Sequence, residues 1–401
     1  MNCVYIAPNF PDAAWKFCAA LKKNGVTVLG VGDQPYDELR AELKNALAEY
    51  YKVTNLENYD EVYRAVAHFA WKHGRIDWIE SNNEYWLEQD ARLRTDFNVT
   101  SGLKSDNIKS IKEKSEMKKY YALGGIPTAR QIKAAEGIEK VKEFALLAGY
   151  PLFAKPDNGV GAVGTCKFLN EDELKAFYDT NANSSQYVIE EYVTGNICDY
   201  DAIIDSHGEP LFESWSICPP SLADVVEKNL DSVYHVQKTM DENLRALGSK
   251  TVKAFGVKSR FVHLEFFQLD NAHKGLGEKG DFVAREVNMR PGGGYTPDMI
   301  NYAHSVDVYK IWADMVMFDK ITSEKPSEDY YCVFGGRREK VAYKLTHEQM
   351  LSKYSKALML NGLVPNALRG AMGDIFYICR FPTNEEKCEF INDVYDRIES
   401  I

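Results

Sequence analysis

No stretch of the 401 residues has an apolar run long enough to cross a membrane as a helix. The opening residues, Met1-Asn2-Cys3-Val4-Tyr5-Ile6-Ala7-Pro8, lack the basic-then-apolar order of a signal peptide. Eight cysteines (Cys3, Cys18, Cys166, Cys198, Cys218, Cys332, Cys379, Cys388) contain no C-x-x-C pair, which argues against a zinc site or a disulfide framework. They read as reduced packing residues of a cytoplasmic protein. Asn98-Val99-Thr100 fits a glycosylation sequon, but without secretion the match carries no meaning. Positive charge is in deficit, with 48 Lys and Arg against 59 Asp and Glu and a net charge of −11. That balance argues against a nucleic-acid-binding face, while leaving room for a local basic cleft that holds a small anion.

What is present is ordinary soluble composition, 45% hydrophobic and 27% charged, in a chain too long for one core. Strands are predicted over 3–7, 26–31, 50–53 and 76–80, with helices over 12–23, 37–47 and 58–73 between them. Such alternation predicts a parallel sheet with ligands beyond the carboxyl ends of its strands. The first strand–helix turn has no G-x-G-x-x-G, which argues against a dinucleotide there. Ser81, Asn82, Asn83 and Glu84 are polar at that edge, although Ser81 or Asn82 taken singly reads as a helix cap.

A lysine-rich helix is predicted over 106–123. Lys114 within it reads, taken alone, as a solvated lysine. After a helix over 137–148, the strand at 149–156 delivers Lys155 to the loop Asp157-Asn158-Gly159-Val160-Gly161-Ala162-Val163-Gly164-Thr165. This matches G-x-G-x-x-G, but a short strand (165–169) follows, and the next helix opens only at Asn170. Strand, glycine loop and strand make a flexible hairpin, not a dinucleotide fingerprint. Bare N–H groups in such a loop can face phosphates, and Lys155 would add a point charge.

Residues 187–195 read as a strand ending in Glu190, Glu191 and a glycine turn, followed by strands over 199–204 and 210–216. The region 218–235 lacks periodicity and reads as a loop near the site. A helix over 237–255 precedes a strand at 260–267, on which His263 and Glu265 share a face. His263 reads there as a hydrogen-bonded residue in preference to a base. A turn over 271–280 makes a hairpin with 281–288, setting Glu265 across from Glu286 or Asn288. Two facing carboxylates are unfavourable unless a cation lies between them. In Arg285-Glu286-Val287-Asn288-Met289-Arg290-Pro291-Gly292-Gly293-Gly294, strand alternation projects Glu286, Asn288 and Arg290 from one side. These are two hard oxygen donors suited to Mg²⁺ and a guanidinium suited to a phosphate or carboxylate.

The ordered recurrence of these parts over ~180 residues resembles the ATP-grasp superfamily. It is most similar to carboxylate–amine ligases and the large subunit of carbamoyl-phosphate synthase, over roughly residues 1–320. The resemblance implies mixed α/β and α+β architecture. An amino-terminal parallel α/β (pre-ATP-grasp) domain (1–110) would precede a two-lobed ATP-grasp domain, with a small lid lobe (111–188) and a large lobe carrying the metal site (189–325). A small α+β carboxy-terminal lobe (326–401) would follow. It also implies that Lys114 and Lys155 touch ATP phosphates, and that Gly159, Gly161 and Gly164 belong to the loop closing over them. Glu190 would receive the adenine amino group, with Glu191 and Val193 giving backbone bonds to the ring. Glu265, Glu286 and Asn288 would hold Mg²⁺ (or Mn²⁺), and Arg290 would steady the transferred phosphoryl group or an acyl phosphate. The family often places an acid on the ribose two residues after the hinge glycine, where this chain has Ile197; Asp199 is the substitute.

The implied activity is ADP-forming ligation, in which a small carboxylate is activated by ATP and attacked by an amine. An ATP-binding protein of the same fold without turnover and a phosphotransferase are the competing readings. The implied partners are small molecules, with no nucleic acid or membrane, and a homodimer is left open. Past Pro326, a hairpin is predicted from strands 330–335 and 340–343 around Gly336-Arg337-Arg338, then a helix (347–356), a strand (374–379) and a final helix from Thr383. Arg337 and Arg338 read as solvent-exposed, with a substrate carboxylate as the alternative.

Overall fold

Short apolar strands separated by amphipathic helices can bury both faces only as a parallel sheet, and the amino-terminal segment forms one. The computed structural model describes residues 1–159, 164–219, 225, 228–324 and 328–398. Strands β1 (Asn2–Ile6), β2 (Thr27–Gly32), β3 (Glu49–Lys52) and β4 (Trp78–Glu80) pair in parallel in the order β3–β2–β1–β4. Helices Ala14–Lys23, Ala41–Ala46 and Tyr59–His73 connect them.

The predicted glycine hairpin is present. Strands β5 (Gln131–Lys133), β6 (Leu152–Pro156), β7 (Cys166–Phe168) and β8 (Tyr187–Glu191) form an antiparallel sheet ordered β5–β8–β6–β7, with Leu152 opposite Phe168 across the hairpin. Leu152, Ala154, Phe168, Leu174, Phe177 and Ile189 form its core. Gly164 lies at φ +77°, and a Cβ there would meet Pro156 and the Tyr187 hydroxyl at 3.2 Å. Residues 160–163, Gly161 among them, lie outside the described residues.

The third sheet takes in strands from residues 195–288 and from residues 331–381. Eight strands run antiparallel in the order β13–β12–β9–β10–β11–β14–β16–β15. They are β9 (Gly195–Ile204), β10 (Pro210–Cys218), β11 (Ser232–Val236), β12 (Arg260–Leu269), β13 (Phe282–Asn288), β14 (Tyr331–Arg337), β15 (Leu358–Leu363) and β16 (Ile375–Phe381). The expected loop at 218–235 therefore ends in a sheet strand, and β11 lies between β10 and the carboxy-terminal strand β14. Residues 340–343 make no strand; β14 pairs with β11 and β16 instead of folding back on itself.

Exposure of Arg337 and Arg338 is also corrected. Both are buried, with guanidinium groups spent on carbonyls: Arg337 donates to Val394, Leu345 and Asp393, and Arg338 to Leu230, Arg369 and Gly370. Buried charges survive by such multiple bonding.

The parallel sheet and the large sheet share one core. Phe17 packs edge-on against Tyr309 and Trp312 of the helix Val308–Phe318, with ring centroids 4.8 and 5.2 Å apart. The amino-terminal sheet is thus a fixed wall beside the eight-stranded sheet.

Candidate functional site

The site is built on three neighbouring strands whose registers line polar residues up in rows. Asp199 of β9 pairs with Glu265 of β12, which pairs with Glu286 of β13; Asp201, His263 and Asn288 make the next row. Cross-strand partners point to one face, so this is a polar floor, with Asp199, Asp201, His263 and Asn288 all buried. The predicted opposition of Glu265 and Glu286 is present, and it is neutralised by the chain itself. The β12–β13 register shifts between Glu265 and Phe266, whose partners are Glu286 and Ala284, leaving Arg285 as the extra residue. Such a bulge redirects a side chain that strict alternation would send to the other face. Arg285 accordingly makes an ion pair with Glu265. Asn288 Nδ2 donates to Glu265 Oε1 at 3.3 Å.

The second cation comes from Lys114, whose Nζ lies 3.2 Å from Glu286 Oε1 and donates to the Gly159 carbonyl at 3.1 Å. The predicted helix over 106–123 is broken where this matters. Glu113 is extended between helices Lys109–Lys112 and Lys114–Leu123, so Lys114 opens a helix. Free N–H groups at that terminus meet Asp157: Lys114 N donates to its carbonyl (2.9 Å), and Ser115 N and Oγ to its carboxylate (2.8 and 2.7 Å). Lys114 is therefore buried and fixed, not solvated. Burial alone would raise the Glu286 carboxyl, but Lys114, then Arg285 and Lys155, pull it below its ordinary value.

Above the floor, Glu190 of β8 holds two lysines. Lys155 Nζ lies 2.7 Å from its Oε2 and Lys118 Nζ 2.8 Å from its Oε1. Burial opposes ionisation of Glu190, yet the two lysines hold its pKa down to about 2. Glu191 turns to Arg130, accepting from its backbone N–H (2.6 Å), Nε (2.8 Å) and Nη2 (2.5 Å). Val193 is buried beside Ala129, Leu269 and Val283.

Arg290 closes the floor at the edge of the parallel sheet. Its Nη2 lies 2.6 Å from Glu84 Oε2 and 3.4 Å from Asn288 Oδ1. The cap at this edge is Asn83, accepting from Tyr85 N at 3.0 Å, and not Ser81 or Asn82. Ser81 Oγ instead donates to the buried Asp90 at 2.6 Å. Behind Arg290, Arg260 donates through Nε to the Met289 carbonyl (2.9 Å) and through Nη2 to both oxygens of Glu80 (2.8 and 2.7 Å). The backbone before Arg290 is thereby tied to the end of β4.

No family model matches the sequence. An L-arginine-specific L-amino acid ligase of Bacillus subtilis is 23% identical over 247 residues, covering 60% of this chain but only 57% of that enzyme. Among solved structures, an L-amino acid ligase of Bacillus licheniformis superposes with a TM-score of 0.69 at 14% identity, covering 100% of this chain and 99% of that one. The ADP complex of N5-carboxyaminoimidazole synthetase from Staphylococcus aureus gives 0.70 at 13% identity, covering 98% and 97%. The chain has the ATP-grasp fold.

Within the ATP-grasp fold the expected residues fall into two groups. Lys114, Glu286, Glu265, Asn288 and Arg290 converge on one floor, and Lys155 and Glu190 meet on the neighbouring strands β6 and β8. Asp199 belongs to the floor, where its Oδ2 accepts from Ser216 Oγ (3.0 Å) and Cys218 Sγ (3.4 Å). Burial raises its pKa, Asp201 adding to the effect and His263 opposing it. Burial lowers His263, but Asp201 and Asp199 outweigh it, leaving a net rise. Glu265, Glu286 and Asn288 fit an Mg²⁺ ion by the chemistry of their donors, two carboxylates and an amide oxygen on adjacent strands. Among the described residues no three His, Cys, Asp or Glu side chains form a metal cage, so such an ion would be completed by water and ligand oxygens.

Residue-by-residue reading missed Lys118, Arg285, Glu80 and Arg260 as site residues. Only Lys118 left a signal, four residues after Lys114 and so on the same helix face.

Proposed function

We propose that this chain is an ATP- and Mg²⁺-dependent ligase that activates a small carboxylic acid for attack by an amine. The observation that carries the reading is the pairing of Lys114 with Glu286 and of Lys155 with Glu190, with Lys155 close enough to help hold Glu286 ionised. Lysines there can exchange a carboxylate for a phosphate, which is the electrostatic requirement of phosphoryl transfer. The likeness to the L-arginine-specific L-amino acid ligase supports the choice of chemistry.

In this reading Lys114 and Lys155 bind phosphate oxygens, the glycine hairpin covers them, and Glu265, Glu286 and Asn288 hold the metal. The metal supplies charge neutralisation at the transferring group. Glu190 and the backbone of Glu191 and Val193 receive the base, and Asp199 stands in for the ribose acid. Arg290 faces the parallel-sheet edge, where it would orient the carboxylate and steady the acyl phosphate formed when that carboxylate takes the γ-phosphoryl group. The amine then attacks the acyl carbon, phosphate leaves as the C–N bond forms, and the nitrogen gives up a proton, so the products are the amide, ADP and phosphate. The lid keeps water from the acyl phosphate.

Purified protein with ATP, Mg²⁺ and a panel of carboxylic acids and amines should release ADP only when an acid is present. Mass spectrometry should find the acid joined to the amine with loss of water. Nucleotide binding without ADP release across a broad panel would favour a binding protein of this fold. A stable phosphorylated acid, indifferent to amines, would favour a phosphotransferase.

A further inference from the structure

One carboxylate holding two lysines leaves a charge unmatched. Lys118, Glu190 and Lys155 sum to one positive charge, and all three are largely buried, the lysine side chains being 13% and 10% exposed. The nearby acids are engaged elsewhere, Glu191 with Arg130 and Glu286 with Lys114. Among the described residues no other acid pairs with Lys118 or Lys155. A buried excess of charge is costly unless an ion of opposite sign completes it. The cluster therefore suits an anion.

The two lysines are not equivalent. Lys155 is on the lid strand β6, directly before the glycine hairpin. Lys118 is on the helix Lys114–Leu123, which belongs to the body: Tyr120 stacks on Phe255 at 5.2 Å, and Lys118 Nζ also donates to Thr128 Oγ1 (2.7 Å), which donates to the Ala284 carbonyl (2.9 Å). Lys118 is thus anchored while, among the described residues, Lys155 has Glu190 alone.

We propose that Lys118 is a positioning residue for nucleotide binding, keeping Glu190 neutralised so that Lys155 can turn from that carboxylate to a polyphosphate. This rests on the ligase reading above. Without Lys118, Lys155 and Glu190 would be a closed neutral pair, and moving Lys155 to a phosphate would strand a buried carboxylate. Burial, together with Lys155, lowers the pKa of Lys118, while Glu190 opposes the shift. Compensation should therefore weaken in alkaline solution sooner than for a solvated lysine.

Calorimetric titration with ADP, adenosine and inorganic tripolyphosphate tests this, because tripolyphosphate carries no base or ribose. Lys118→Met should bind ADP and tripolyphosphate at least ~100-fold more weakly, the size expected for stranding a buried charge, with adenosine affected little. Lys118→Arg should retain most of the affinity. The double variant Lys118→Met/Glu190→Gln removes both members of the pair and leaves Lys155 free, so tripolyphosphate affinity should return to near that of the unmodified protein. If Lys118→Met alone does not fold, the double variant still decides. Unmodified tripolyphosphate binding in Lys118→Met, or a double variant no better than that single one or far weaker than the unmodified protein, would overturn the proposal. Failure of the unmodified protein to bind any adenine nucleotide would instead overturn the ligase reading, and this one with it.

Discussion

Lys114 Nζ and Glu286 Oε1 lie 3.2 Å apart, so a lysine suited to phosphate and an acid suited to metal neutralise each other. Metal and nucleotide would have to break that pair together, since either alone leaves a buried partner charged and bare. Glu286→Gln frees Lys114 while removing a metal ligand. The expected outcome is metal-free ATP binding equal to or tighter than that of the unmodified protein, with Mg²⁺-dependent turnover falling by at least ~100-fold. Parallel loss of metal-free binding and turnover would give Glu286 a structural role.

Arg285 should set the acid limb of the reaction. With Lys114 and Lys155 it lowers the Glu286 pKa, Lys114 doing most, and it pairs with Glu265 directly. Arg285→Met removes that pull, so the Glu286 carboxyl protonates at higher pH. Activity must then be lost earlier on acidification, and a pH–rate profile should show the acid limb displaced upward. An unchanged limb would mean that Arg285 does not set the ionisation on which activity depends.

How much of this was legible in the sequence depended on whether local pattern or register decided the outcome. The parallel sheet, the glycine hairpin and the opposition of Glu265 to Glu286 follow from alternation and turn residues, and all are present. Arg285 was not legible because a bulge overrides alternation, and no local residue choice announces it. Lys114 looked solvated because a lysine-rich run hides the helix break at Glu113. Arg337 and Arg338 looked exposed for a related reason. Their burial depends on β11 and β16, which lie far away in sequence and pair with β14 on either side.

Arg338 illustrates the energetic consequence. Its guanidinium satisfies the carbonyls of Leu230, Arg369 and Gly370 at 3.0, 2.7 and 2.9 Å. Arg338→Ala leaves these acceptors without that donor and should cost about 2–4 kcal/mol, from ~1 kcal/mol or more for each lost bond. Denaturant unfolding should show the loss. Arg338→Lys should recover only part of it, since one ammonium cannot reproduce the planar fork.

His235 predicts a pH-dependent difference. Burial, aided by Lys387, pushes its pKa to about 3, below the ordinary 6.5. The folded state therefore excludes a proton that the unfolded chain accepts below 6.5. The stabilisation is complete above that pH and declines, by at most ~1.4 kcal/mol per pH unit, as pH falls toward 3. Asp90 acts oppositely in part of the window: burial, together with Glu80, raises its pKa to about 7 against the pull of Arg94, so its contribution grows as pH falls from 7 toward 3.8. The two trends partly cancel in the intact protein. The test is a difference: the stability gap between the intact protein and His235→Gln, measured from pH 7 to 5, should shrink on acidification. A constant gap would mean that the ring is already charged or solvated.

Glu84 and Arg290 join the parallel-sheet edge to the end of β13 at 2.6 Å. A pair this short, with side chains 11% and 17% exposed, fixes the guanidinium in one direction. In the proposed reaction that direction matters most when charge develops on the transferring group, since a misplaced donor loses transition-state stabilisation while nucleotide binding persists. Glu84→Ala should therefore lower kcat by about 10- to 100-fold with a small change in the KM for ATP, corresponding to ~1.4–2.7 kcal/mol. Arg290→Ala should lower it further, and the double variant should be no worse than Arg290→Ala alone, because Glu84 acts only through the arginine it holds. Additive losses would mean that Glu84 contacts the substrate independently. A raised KM for the acid in Glu84→Ala, with ATP parameters untouched, would place that contact at the acceptor.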